Sequence, residues 1–292
     1  MGKPPINPVI NPNSFVGYML SISEKKRIRI LCFVIRGLFV SIAYFHICVS
    51  LFSMQVIIID LSCFFLMRIY KAWLKSQEED TCPNEIAAMS IIRIITNISA
   101  HGTPIIAAQD WSPNAKLWQH NIQSNYRSRA NSLKQGAAEI IHGILAIVKD
   151  MGLTVVKNIE YESDDMAATI AMSCKDSGLS SCIVSNSPRL IPLIEHGIHI
   201  QEPFGRKRTR SWCKQNYNLE PKQVPDLFAI TGNSRVDGVV GIGRKRAHAL
   251  LSTWENVETI VSMPECNDSL VNTIKSESYK VLTNKVVLQP PF

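Results

Sequence analysis

The chain has 292 residues, 46% of them hydrophobic and 19% charged, which excludes a disordered polymer and allows one large domain or two small ones. The net charge of +7 is uneven: residues 1–53 hold six basic residues against Glu24, leaving only +2 for the rest, so local clusters must carry any case for nucleic acid. The eight cysteines, at 32, 48, 63, 82, 174, 182, 213 and 266, form no CxxC pair and no zinc spacing, and read as reduced thiols of a cytoplasmic protein.

Residues 1–22 are proline-rich and irregular. A basic run, Lys25 to Arg29, precedes an apolar stretch from Gly37 to Ser53. Two readings stand for this extension. It is either a short hydrophobic anchor, with membrane contact only if residues 28–53 are translated, or the product of a start placed too early, with Met54 the true one. The second is preferred, because Gln55-Val56-Ile57-Ile58-Ile59-Asp60 follows at once.

Val56–Ile59 is a β-branched run suited to a central parallel strand. Ala87–Ser99 has helical spacing, with Gly102 just beyond it. Pro104–Ala108 reads as a second buried strand leading to Gln109-Asp110. Ala137–Met151 is a helix stopped by Gly152, and Leu153–Val156 a third strand. Asp164–Lys175 is a helix with acids in its first turn, where the helix dipole favours them. Ser181–Val184 is a fourth strand, and Pro188–Glu195 a short helix. The alternation predicts an α/β fold with a mostly parallel central sheet and flanking helices. Beyond residue 215 the pattern is helical: Pro225–Thr231, a Gly-rich loop, Arg244–Trp254, and continuing helix over Glu255–Met263. The expected organisation is an extension (1–53), a catalytic α/β domain (54–215) and a helix–hairpin–helix subdomain (216–292).

Asp60 and Asp110 end successive strands, and Glu162, Asp164 and Asp165 open a helix. Acids at the carboxyl ends of parallel strands sit where ligands bind in such sheets. Carboxylates gathered in one cleft need cations, and hard oxygen ligands suit Mg²⁺. Each acid alone has a structural alternative, such as capping a turn or a helix. The loop Gly238-Val239-Val240-Gly241-Ile242-Gly243, followed by Arg244-Lys245-Arg246-Ala247, has the form of a hairpin that lets backbone N–H groups approach phosphate. Arg206–Arg210 is read equally as a DNA-tracking patch or a solvated loop. Tyr126, with Arg127, offers an aromatic and a cation for stacking on an unpaired base.

Glu162-Ser163-Asp164-Asp165, then Ile183-Val184-Ser185, then Gly238–Lys245 with Val224-Pro225-Asp226 ahead, together resemble the 5′-nuclease superfamily, and most of all its short Xni-type flap endonucleases (exonuclease IX). The likeness covers roughly Met54 to Leu282. The resemblance implies a PIN-like nuclease fold and a monomer that hydrolyses DNA phosphodiesters at 5′ flaps, without a small-molecule cofactor. It implies Asp60, Asp110, Glu162, Asp164 and Asp165 as catalytic residues, with Glu162, Asp164 and Asp165 as Mg²⁺ ligands. It implies K⁺ bound by main-chain carbonyls of Ile230, Thr231, Asp237, Val239 and Ile242. DNA contacts would come from Gly241, Ile242, Gly243, Arg244, Lys245, Arg246, Tyr126 and Arg127. This chain departs from the pattern where two family acids fall on Ser187 and Arg189, where Gly232–Gly238 is two residues short, and where Gln119 replaces an arginine. Those departures motivate the alternative of a catalytically weakened or inactive relative that binds branched DNA.

Overall fold

The computed structural model describes residues 55–61, 102–109, 116–127, 137–150, 152–203, 205–264 and 267–291. The N-terminal extension, the helix expected over Ala87–Ser99, and Asp110 lie outside them.

A six-stranded sheet forms the base of the molecule. Its strands are β1 (Gln55–Asp60), β2 (Gly102–Gln109), β3 (Thr154–Asn158), β4 (Ser180–Val184), β5 (His199–Gln201) and β6 (Lys207–Arg208), in the order β3-β2-β1-β4-β5-β6. All pairs are parallel except β5 with the short edge strand β6. β1 is central because its run from Val56 to Ile59 is apolar toward both faces, and it is buried throughout. Its register, Asp60 beside Ala107 of β2 and Ile59 beside Val184 of β4, brings the strands' carboxyl ends to one edge.

Helices α1 (Ala137–Asp150) and α2 (Ser163–Asp176) connect the strands. The apolar side chains of α2 (Met166, Ala167, Ile170, Ala171 and Cys174) pack with Ile58, Ile105 and Ile183 in one core cluster. Leu190 and Leu193, from a 3-10 helix over Pro188–His196, complete it.

The remainder is helical: α3 (Arg210–Tyr217), α4 (Val224–Thr231), α5 (Arg244–Trp254), α6 (Val257–Ser262), α7 (Ser269–Ser276) and α8 (Ser278–Leu288). Leu227, Ile230, Ile242, Leu250, Ile260, Ile274 and Val281 belong to a second core cluster. A smaller cluster joins Leu117 and Tyr126 with Val236, Val287 and Leu288.

Two expectations are corrected here. Helix does not run on through Glu255, whose φ of 65° closes α5 in left-handed backbone before Asn256 caps α6 through Thr259. Arg206–Arg210 is not one solvated run. Arg208 is buried, bonded to the carbonyls of Asn186 and Ser187 and stacked 4.8 Å over Trp212, while Thr209 caps α3. Among the described residues no helix is long and apolar enough to cross a membrane.

Candidate active site

Among the described residues, the carboxyl edge of the sheet carries four buried acids. Asp60 is the last residue of β1. Glu162, Asp164 and Asp165 sit at the start of α2, where the dipole and unpaired N–H groups of the first turn lower the cost of their charge. Glu162, Asp164 and Asp165 present carboxylate oxygens within 4.8 Å of one another. This is the kind of donor set that hard divalent ions take. Asp60 is not one of the three. Its oxygens accept from the hydroxyls of Ser163 at 2.6 Å and Ser185 at 2.5 Å, so it joins the centre through Ser163, not by converging on a common point.

Arg189 lies in the middle of the three. Its Nη1 donates to Glu162 at 2.8 Å and Asp164 at 2.6 Å, its Nη2 to Asp165 at 2.5 Å, and its Nε to the Leu288 carbonyl at 3.2 Å. Arg235, from the turn after α4, reaches Asp164 at 3.0 Å and Glu162 at 3.4 Å. Arg127 reaches the other oxygen of Glu162 at 2.8 Å. Ser187 donates to Asp164 at 2.7 Å; Trp118 and Gln119 donate to Asp165, each at 3.0 Å.

The electrostatics follow from this arrangement. Burial alone would raise the Asp164 carboxyl, but Arg189, Arg235 and the Ser187 bond outweigh it and hold it down to about 2. Glu162, equally buried, is likewise lowered by Arg235, Arg127 and Arg189. Asp165 moves the other way, to about 6: burial raises it, Asp164 and Glu162 add repulsion, and Arg189 only partly compensates.

A divalent ion does not fit this arrangement while Arg189 is in it. Each oxygen of Glu162, Asp164 and Asp165 already accepts from a protein donor, and the guanidinium groups supply the charge such an ion would bring.

Tyr126 is corrected as a stacking residue: it is 2% exposed and its hydroxyl donates to Glu162 at 2.7 Å, so no ring face is offered to a base. Arg127, tied to Glu162, is likewise committed inward. In the hairpin, Gly241 (φ 81°), Gly243, Arg244, Lys245 and Arg246 are exposed at the tip, whereas the side chain of Ile242 is in the helical core and its N–H donates to the Val239 carbonyl. Gly238 has a different role from phosphate approach. A Cβ there would lie 2.4 Å from the Thr231 carbonyl oxygen, so the glycine lets the loop close against α4. Of the carbonyls expected at a K⁺ site, Ile230 accepts from Val239 N–H and Asp237 from the Asn284 amide at 2.8 Å.

Sequence reasoning missed Arg235, Ser163 and Ser185. It registered Arg189 only as a lost acid, because the three carboxylates that surround it lie more than twenty residues away in sequence.

The model of the 5′-3′ exonuclease N-terminal resolvase-like domain matches residues 55–224. The flap endonuclease Xni of Salmonella newport (strain SL254) is 26% identical over 171 residues, covering 58% of this chain and 68% of its own length. The flap endonuclease Xni of Salmonella enteritidis PT4 is 26% identical over 166 residues, covering 56% and 66%. The chain thus spans about two thirds of these relatives. Among solved structures, the bacteriophage T5 flap endonuclease in a pseudo-enzyme–product complex with DNA and metal ions aligns with TM-score 0.66 at 15% identity, over 81% of this chain and 89% of that one. The T5 5′-exonuclease with bound zinc aligns at 0.60 and 16%, over 80% and 89%. The fold is therefore theirs, and with more than half of its length under the domain model, this chain belongs to the 5′-3′ exonuclease family.

Proposed function

We propose that the chain is a 5′-flap endonuclease of this family, engaging DNA with 5′ flaps and centring hydrolysis of a phosphodiester on Glu162, Asp164 and Asp165. The observation that supports it is the meeting of those three carboxylates at the carboxyl edge of a parallel sheet. The helical part adds an exposed hairpin tip followed by Arg244, Lys245 and Arg246, which suits the sugar–phosphate chain and reads no sequence. Mg²⁺ is the ion this donor chemistry favours once Arg189 is withdrawn. K⁺ at the hairpin carbonyls belongs to the same proposal, and dependence of DNA affinity on K⁺ over Na⁺ tests it.

The division into an α/β part (54–215) and a hairpin part (216–292) is supported by their separate core clusters. A cytoplasmic location is supported by Cys174, Cys182 and Cys213, which are buried free thiols. The chain would act as a monomer.

The buried position of Arg189 favours a second reading, in which the chain grips the branch without cutting it. Incubating the chain with a 5′-flap duplex and Mg²⁺, beside Asp164→Ala, separates the two. Cutting by the wild type alone supports hydrolysis. Binding without cutting in both supports the grip, and binding to neither overturns both readings.

A further inference from the structure

We propose that Arg189 is the resident cation of this centre, and that its guanidinium and a divalent ion exclude one another there. The inference rests on the reading of Glu162, Asp164 and Asp165 as the centre, and it holds whether or not the chain cuts DNA.

The oxygens show the fit. Glu162 takes Arg127 on one oxygen, and Tyr126, Arg189 and Arg235 on the other. Asp164 takes Arg189 on one, and Ser187 with Arg235 on the other. Asp165 takes Arg189 on one, and Trp118, Gln119 and the Glu162 N–H on the other. Asp60 takes Ser163 and Ser185. Every oxygen of the four acids therefore has a protein donor. Four of the five N–H donors of Arg189 are spent inside the site, three of them on carboxylates.

Charge points the same way. Glu162, Asp164 and Asp165 face three guanidiniums, which balances their charge without any ion. An added divalent ion would sit within a few ångströms of Arg189 in a site from which water is excluded, where repulsion is little screened. Arg189 is also held from behind. It sits in the first turn of the 3-10 helix that begins after Ser187, and the Asn186 and Ser187 carbonyls are fixed by Arg208. The Leu288 carbonyl at the end of α8 accepts from its Nε. The side chain is 1% exposed, so withdrawing it means moving these elements.

The consequence is that Arg189 replaces a metal requirement for folding. Buried carboxylates need a counter-cation, and removing the internal one creates a need for an external one.

Mn²⁺ is a suitable probe, with binding followed by electron paramagnetic resonance of the free ion and stability by melting in EDTA or Mn²⁺. The wild type should melt at the same temperature in both. Arg189→Gln should melt lower in EDTA, recover with Mn²⁺, and bind the ion at least about tenfold more tightly than the wild type. Arg189→Lys keeps the charge without the planar fork and should fold in EDTA. Wild-type binding of one Mn²⁺ as tight as that of Arg189→Gln, lost in Glu162→Gln, overturns the proposal. So does an Arg189→Gln protein that Mn²⁺ neither binds nor stabilises. If Arg189→Gln does not fold in either condition, the wild type decides: Mn²⁺ binding lost in Glu162→Gln refutes the idea, and lack of such binding upholds it. Flap-DNA affinity measured in EDTA is a separate readout. Its absence alongside Mn²⁺ exclusion would sink the functional reading and leave the role of Arg189 standing.

Discussion

Arg235→Gln should destabilise the protein strongly at neutral pH and much less in acid. The side chain is 8% exposed and makes two ionic contacts, at 3.0 Å to Asp164 and 3.4 Å to Glu162. Removing one partner from a buried ionic network costs about 3–5 kcal/mol, because the charge left behind is poorly compensated. Here both carboxylates keep other donors: Asp164 retains Arg189 and Ser187, and Glu162 retains Arg127, Arg189 and Tyr126. The loss should therefore fall near the low end, about 3 kcal/mol, or a drop of about 6–12 °C in Tm for a chain of this size. Burial pushes Glu162 up, and Arg235 leads the cations that bring it down. Without Arg235 its carboxyl picks up a proton at higher pH, so the uncompensated charge disappears as pH falls. Urea denaturation at pH 7 and pH 4 measures both effects. A loss under about 1 kcal/mol at pH 7, the value of a surface pair, would refute the reasoning. A loss unchanged at pH 4 would refute it as well.

Asp165 and Asp164 should titrate far apart, near 6 and near 2, when followed by carboxyl carbon NMR. Asp165, raised above its unfolded value, binds a proton in the native state first, so stability rises as pH falls from 7 toward 4, by roughly 3 kcal/mol for two pKa units. The contribution of Asp164, lowered, is present above its unfolded value and is lost as pH falls toward 2. Gly238→Ala should unfold the hairpin or cost at least about 2 kcal/mol in urea denaturation, since the new Cβ meets backbone rather than a side chain that can move. Lys245→Ala should weaken binding to every flap sequence alike and lower the slope of log affinity on log salt by about 0.9 if Lys245 contacts one phosphate.

The parallel sheet was legible because β1 and β4 are short apolar runs whose burial on both faces leaves a plain pattern. The acids opening α2 were legible because three carboxylates within four residues at a helix start are unusual in sequence as well as in space. The hairpin was legible through its glycines, although Gly238 serves packing and Gly241 the tight backbone. What stayed hidden depends on partners remote in sequence. Arg189 meets Asp164 across 25 residues and Arg235 meets it across 71, and no local pattern announces either pair. α3 was missed because its exposed face is polar and its start, Thr209, sits inside a basic run. Tyr126 was misread because an aromatic beside a cation looks alike on a surface and in a core; only the bond to Glu162 distinguishes them.

The order in which the centre is assembled has a bearing on synthesis. Its acids lie at 60 and 162–165, while two of its three guanidiniums, and the carbonyl that holds one of them, come later, at 189, 235 and 288. A ribosome therefore releases the negative half of the core well before the positive half. A nascent chain arrested after β4 would carry four carboxylates with Arg127 as their sole guanidinium from this set, and should stay protease-sensitive until the hairpin and α8 have emerged.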